Sequence, residues 1–155
     1  MARARVVAEN GASPPSDLTR RRMRRQRARD TLPELNIRHA LHRIGFRYAV
    51  DAQVVSGLRR RADLLFRGRR VAVFVDGCFW HACPKHATYP KANASWWRAK
   101  LSANRVRDLD TDRRLADAGW KVVRVWEHER TADAVARICA VLRQAAPPDR
   151  PSRRA

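Results

Sequence analysis

The chain has 155 residues, with 34 Lys and Arg against 15 Asp and Glu, for a formal net charge of +19. That length suits one ordinary domain, able to bury roughly 70% of its unfolded surface without a disulfide framework. Only three cysteines, no apolar run of about 18 residues and no apolar stretch behind the N-terminal arginines argue against a secreted scaffold, a membrane span and a secretory signal. A cytoplasmic protein is expected. So large a cationic excess repels itself in a compact chain and points to a polyanionic partner, whose released counterions would supply affinity. A coding bias toward Arg is the alternative.

In chain order, residues 1–19 read as a disordered tail, with linker composition at Gly11-Ala12-Ser13-Pro14-Pro15-Ser16. Residues 20–29 form a dense basic arm that suits DNA, or else a solvated extension. Residues 30–144 are the folded domain, and 145–155, rich in Pro and Arg, a second disordered tail. Thr31 and Glu34 have the spacing of a capping box, and Pro33 is acceptable in a first helical turn. Leu35, Ile37, Leu41 and Ile44 continue that helix, and Gly45 ends it. Phe46, Tyr48 and Val50 alternate as in a strand. The apolar runs 62–66 and 71–75 read as a hairpin of buried strands, turning at Arg67-Gly68-Arg69-Arg70. Residues 76–94 form an irregular loop, in which Gly77 is expected to permit the turn out of the strand. Ser95 is expected to cap a long helix through Ala118, stopped by Gly119. A strand at 120–126 and a helix from Thr131 to about Gln144 complete the fold, with Cys139 a core residue.

Cys78-x4-Cys83-x2-His86 gathers two thiols and an imidazole within nine residues. Zn²⁺ favours four such ligands in a tetrahedron. His128, just past the strand 120–126, supplies the fourth if that strand neighbours 71–75. The alternatives are buried cysteines beside surface histidines, or His81 in place of His86.

Asp63 lies inside an apolar strand, where an unpaired carboxylate is costly unless it is paired or holds a metal. Its hairpin partner runs directly into Asp76 and His81. Acidic and carbonyl oxygens on adjacent strands would make a pocket for Mg²⁺, which activates water and neutralises phosphate charge. The alternative for Asp63 is a salt bridge to Arg59, Arg60 or Arg61, and for Glu34 a capping role alone. His81 is the acid/base candidate, since its unperturbed pKa lies near neutrality. Phe79, Trp80, Trp96 and Trp97 are either core packing or wedges that unstack base steps.

These residues resemble the very-short-patch-repair (Vsr) DNA mismatch endonucleases. The resemblance rests on Met23-Arg24, Arg29-Asp30-Thr31-x-x-Glu34, Arg61-x-Asp63 and Val73-Phe74-Val75-Asp76-Gly77-Cys78-Phe79-Trp80-His81. It continues with Trp97-x-x-Lys100-x-x-x-Asn104-x-x-Arg107-Asp108, Leu115, Gly119-Trp120 and Val125-Trp126-Glu127. It implies an α/β, single-domain, restriction-endonuclease-like PD-(D/E)xK core, a mixed central sheet flanked by helices, with a structural zinc site. It implies nicking of one DNA strand on the 5′ side of the thymine in a T:G mismatch, in double-stranded DNA. The alternatives are the same nuclease core nicking without T:G preference, and a non-catalytic zinc-stabilised DNA-binding module. A monomer associated with the nucleoid is expected. Mismatch-repair proteins are candidate partners.

By the same resemblance, Mg²⁺ is held by Asp63 and the main-chain carbonyl of Val75. His81 assists proton transfer, and Glu34 sits on the catalytic side. Zn²⁺ is held by Cys78, Cys83 and His128, with His86 filling the fourth place. Phe79, Trp80 and Trp97 enter the duplex, and Asn104, Arg107, Met23, Arg24 and Arg25 also belong to the DNA-binding surface. Asp76 departs from relatives that carry His there. It either joins the metal site or leaves proton transfer to His81 alone.

Overall fold

The computed structural model describes residues 16–18, 21, 30–86, 88 and 90–145. Met23, Arg24 and Arg25, with nearly all of the basic arm, lie outside them. The elements run α1 (Leu32–Arg43), β1 (Ala49–Gln53), β2 (Arg61–Phe66), β3 (Val71–Asp76), α2 (Ala94–Asp117), β4 (Lys121–Trp126) and α3 (Thr131–Gln144). No helix among the described residues is long and apolar enough to cross a membrane.

One mixed sheet of order β1-β2-β3-β4 organises the domain. The hairpin expected from the two apolar runs forms, with Leu64 opposite Val73 and Phe66 opposite Val71. It turns through a short 3₁₀ segment at Arg67–Arg69. After β3 the chain crosses over through α2 and returns as β4, parallel to β3, with Asp76 beside Trp126. A parallel return needs such a crossover, because a tight turn can only reverse direction. Helices α1 and α3 cover one face, where Ile37, Leu41, Leu64, Phe66, Val71, Val73, Ile138 and Leu142 form the larger core. Leu115 of α2 packs on the other face with Ala72, Phe74, Ala62 and Leu65. Cys139 is buried in the larger core as expected, and Ala145 joins it just beyond α3.

Several expected boundaries move. Phe46 and Tyr48 precede the sheet; β1 begins at Ala49. They still pack edge-on against Phe66, with ring centroids 6.1 and 5.6 Å away. Alternating side chains can therefore reach the core from extended chain that has no ladder partner. Ser95 does not cap α2. The helix starts one residue earlier, and Asn93 stands at its N-cap in the left-handed region, which Asn tolerates. The expected capping box is replaced by other contacts: the hydroxyl of Thr31 caps no backbone N–H, but donates to Glu34 Oε1 at 2.9 Å. Glu34 Oε2 accepts from the N–H of Asp30 at 2.9 Å. Gly45 and Gly119 do terminate their helices, both with positive φ.

The sheet is irregular where β2 meets the catalytic candidate. Ala62 and Leu65 face one core, while Leu64 and Phe66 face the other, so the alternation slips around Asp63. Across from it, Asp51 of β1 adopts a left-handed φ of 45°. The recorded β2–β3 pairs end at Leu64, and the N–H of Val75 is taken up by the carboxylate of Asp63. A side chain there substitutes for a ladder acceptor.

Candidate active site

The carboxyl ends of β3 and β4 open into a pocket of about 330 Å³ whose walls include Glu34, Asp63, Val75, Asp76, His81 and Arg124. Asp63 accepts the Val75 N–H at 2.7 Å through Oδ2, leaving Oδ1 open to the pocket. It has no salt bridge to Arg59, Arg60 or Arg61, because Arg61 pairs instead with Asp51 at 2.9 Å. Burial pushes the Asp63 carboxyl up to about 7, and the charges of Glu34, Asp76 and Asp51 add to the rise against the Val75 hydrogen bond. A carboxylate so destabilised by burial and by its acidic neighbours is suited to a divalent cation, which would reverse both effects. The site therefore fits a divalent cation such as Mg²⁺ on Asp63. Glu34 is buried, and its oxygens are occupied by the start of α1.

His81 sits at the first turn of the loop after β3. Its Nδ1 meets Asp108 Oδ2 at 2.5 Å and lies 3.6 Å from Asp76 Oδ1. Burial acts to lower the imidazole pKa, but the Asp108 hydrogen bond and the charges of Asp76 and Asp108 raise it. Asp108 moves oppositely: burial would raise it, and His81 with Arg124 and Arg60 holds it below the usual carboxylate range. With Nδ1 committed, Nε2 is the atom left to exchange a proton. Asp108 is thus the group that orients His81.

Asp76 is tied to Arg124. Both its oxygens accept from Nη1 at 2.9 Å, while Arg124 Nε donates to both oxygens of Asp112 at 3.0 Å. Arg124 Nη2 is 3.8 Å from Asp108 Oδ1, and the guanidinium lies over the Phe74 ring at 4.9 Å. One mostly buried cation so holds three acids, two of which touch His81. Sequence reading assigned no role to Asp108, Asp112 or Arg124. The signal was available: Arg124 interrupts an apolar strand as Asp63 does, and Asp108 and Asp112 share a helix face at i, i+4.

The loop after His81 returns to the sheet. Cys78, Cys83, His86 and His128 have potential ligand atoms all within 4.8 Å of one another. In a zinc tetrahedron such atoms lie roughly 3.3–3.8 Å apart. Cys78 Sγ is 3.0 Å and Cys83 Sγ 3.7 Å from His128 Nδ1, and Cys83 Sγ is 3.9 Å from His86 Nδ1. Burial pushes the Cys78 thiol up to about 11, with Cys83 and Glu127 raising it further. A cation would relieve that crowding, so the donor set fits zinc. The N–H of Cys78 also donates to Glu127 Oε1 at 2.6 Å. Gly77 is not required by its backbone: a Cβ there would meet Trp80 and Glu127 at ordinary distances of 3.6 and 3.7 Å.

Phe79, Trp80 and Trp97 form one aromatic cluster, with Phe79 centroids 5.1 Å from Trp80 and 5.2 Å from Trp97. Phe79 and Trp80 are half-buried, whereas Trp97 is only 4% exposed and underlies them. Asn104 is buried and donates to the carbonyl of Trp80 at 2.9 Å, while Arg107, exposed, donates to Asn104.

Residues 16–87 match the family described as DNA mismatch endonuclease Vsr. The chain is 42% identical to the type II nicking enzyme V.NaeI of Lentzea aerocolonigenes, over 91% of this chain and 87% of that protein. It is 39% identical to the type II nicking enzyme V.XorIIP of Xanthomonas oryzae pv. oryzae, over 69% of this chain and 77% of the relative. It is 32% identical to the DNA mismatch endonuclease Vsr of Escherichia coli, over 68% of this chain and 66% of the relative.

Two outcomes test this geometry. Purified protein should carry about one zinc ion per chain by metal analysis, the number one tetrahedral site requires. A zinc-free chain that resists proteolysis across residues 77–93 would remove the assignment. Arg124→Met leaves buried Asp76 without its cation and should cost about 3–5 kcal/mol in urea unfolding. Adding Asp76→Asn should recover about 2 kcal/mol of that loss; strictly additive losses would mean that the pair is not coupled.

Proposed function

The chain belongs to the Vsr family of DNA mismatch endonucleases, and we propose that it nicks one strand of duplex DNA 5′ to the thymine of a T:G mismatch. The observation that carries this reading is the convergence of Asp63 and the His81–Asp108 pair on one pocket, with Phe79 and Trp80 directly preceding His81 in the chain. The mixed sheet, with its acid at the irregular end of a hairpin, supports a restriction-endonuclease-like PD-(D/E)xK core.

Asp63 and the main-chain carbonyl of Val75 would hold Mg²⁺, which supplies water activation and charge neutralisation at the scissile phosphate. His81 Nε2 accepts a proton from the attacking water as its oxygen bonds to phosphorus and one P–O ester bond breaks, the leaving oxygen taking its proton from solvent. Asp108 fixes the ring and stabilises the imidazolium that results, as an acid beside a catalytic histidine does. Asp76, committed to Arg124, contributes to the field at His81. Glu34 adds negative charge beside Asp63 while holding the start of α1.

Zinc on Cys78, Cys83, His86 and His128 would pin the loop that carries Phe79, Trp80 and His81. Phe79 and Trp80, already half-exposed, suit insertion at the mismatch, with Trp97 beneath them and released only by unpacking. Asn104 sets Trp80 by its carbonyl, and Arg107 lies on the DNA side. Met23, Arg24 and Arg25 belong to the arm proposed to follow the DNA backbone. The protein is proposed to act as a monomer in the cytoplasm, at the nucleoid, with mismatch-repair proteins as candidate partners.

A second reading is nicking without a mismatch requirement, favoured by relatives whose names state nicking alone. A panel of duplexes with T:G, other mismatches and full pairing, each with Mg²⁺, separates the two. The expected result is a nick at T:G and little at paired sites; equal cutting of all duplexes would select the second reading. No product on any duplex would sink the nuclease reading. Asp63→Ala should lower the single-turnover rate by about 1000-fold or more while leaving duplex affinity intact, as loss of a group needed only for the chemical step does. An active variant would take Asp63 out of the mechanism.

A further inference from the structure

Three consecutive arginines lead into β2, and they do not share one fate. Arg61 reaches across to Asp51, and Arg59 is exposed. Arg60 is half-buried and forms part of the wall of the pocket that contains Asp63, Asp76 and His81. Among the described residues, it makes no hydrogen bond and no ion pair. The charges that act on it most are Arg107, Asp108 and Arg124, two of them cations. Burial, Arg107 and Arg124 together depress its pKa, against the pull of Asp108.

Apart from Arg59, which is exposed, and Asp63, the other charges around that pocket have partners. Arg124 is held by Asp76 and Asp112, and Asp108 by His81. Glu34 is held by Thr31 and the Asp30 N–H. A half-buried guanidinium facing two other cations is unfavourable until an anion arrives. Its planar fork matches a phosphate better than an ammonium would. Asp63, with one oxygen open, lies in the same pocket and suits a cation. An acid that suits a metal and an unmatched guanidinium in one cleft are complementary to a single phosphodiester placed between them.

We propose that Arg60 is a phosphate-binding residue of this pocket, gripping a non-bridging oxygen of the phosphodiester that is cut. The phosphodiester part rests on the nuclease reading above; the phosphate site does not. Negative charge that grows on those oxygens during displacement is met by Arg60 already in place, so its effect falls on the rate more than on affinity.

The test uses the full chain, Arg60→Gln, Arg60→Lys, and Arg43→Gln as a remote loss of the same charge. Side-chain Nε–H resonances of the arginines are followed by NMR as inorganic phosphate is added, the Arg60 signal being the one lost in Arg60→Gln. It should shift and saturate while the others drift together; a signal that moves no more than the rest overturns the proposal. In single-turnover nicking of a T:G duplex, Arg60→Gln should be slower by about 100-fold, with duplex affinity changed no more than in Arg43→Gln. Arg60→Lys should recover part of the rate. Nicking by Arg60→Gln within about threefold of Arg43→Gln would refute the catalytic role. Should the parent chain nick no duplex, the nuclease reading fails, and the phosphate titration still decides whether Arg60 binds the anion.

Discussion

The site depends on the parallel pairing of β3 with β4. That register puts Asp76 beside Trp126, so whatever follows the two strands emerges at one place. The loop after β3 brings Cys78 and His81, and the turn after β4 brings Glu127 and His128. The hydrogen bond from the Cys78 N–H to Glu127 and the approach of Cys78 Sγ to His128 are direct consequences. So is the Arg124–Asp76 pair, since Arg124 is two residues before Trp126 and Asp76 ends β3. Crossover strands of this kind commonly gather function at their carboxyl ends. Here one register serves both the Cys78–Cys83–His86–His128 cluster and His81, and a one-residue slip would lose both.

The second constraint is electrostatic. Glu34, Asp63, Asp76 and Asp108 crowd one pocket in a chain of net charge +19. Each acid is stabilised by a different device. Glu34 spends its oxygens on a helix start, Asp108 on an imidazole and Asp76 on a guanidinium. Asp63 keeps only one backbone N–H, and burial with its acidic neighbours pushes its carboxyl up to about 7. The acid with the least internal compensation is the one with an oxygen open to the pocket. The proposal of Asp63 for a metal thus rests on what its neighbours already do, rather than on its identity as an acid.

How much of this was legible in the sequence follows the same division. Local signals carried the hairpin, the glycine stops of α1 and α2 and the whole of α3, because period and punctuation are properties of a short stretch. Asp63, Asp76 and His81 were legible through their position in or just after apolar strands. Cys78, Cys83 and His86 were legible through spacing. Assigning His128 needed a supposition about strand neighbours, which the β3–β4 pairing supports. The roles of Asp108, Asp112 and Arg124 required knowing that α2 packs beside β4, a tertiary fact absent from either segment alone. Trp97 shows the converse. Its neighbours Phe79 and Trp80 are half-exposed, but helix phase turns Trp97 inward with Leu101 and Asn104, and only the fold reveals that.

Asp76 best illustrates what the structure adds. An acid in place of histidine, directly after the catalytic strand, could extend the metal site or disable a proton relay. The third possibility became visible only with Arg124. An arginine in the middle of β4 would be expensive there without Asp76 and Asp112, and Asp76 would be expensive without Arg124. The two residues make sense as a pair, each offsetting the cost of burying the other. The pair also places a fixed positive charge within reach of Asp108. It thereby opposes protonation of His81, which Asp76 and Asp108 favour. The proposed role of His81 as a proton acceptor at near-neutral pH calls for both influences, because acids alone would leave it already protonated. Asp76 therefore leaves His81 between two acids and one arginine, with its pKa raised on balance.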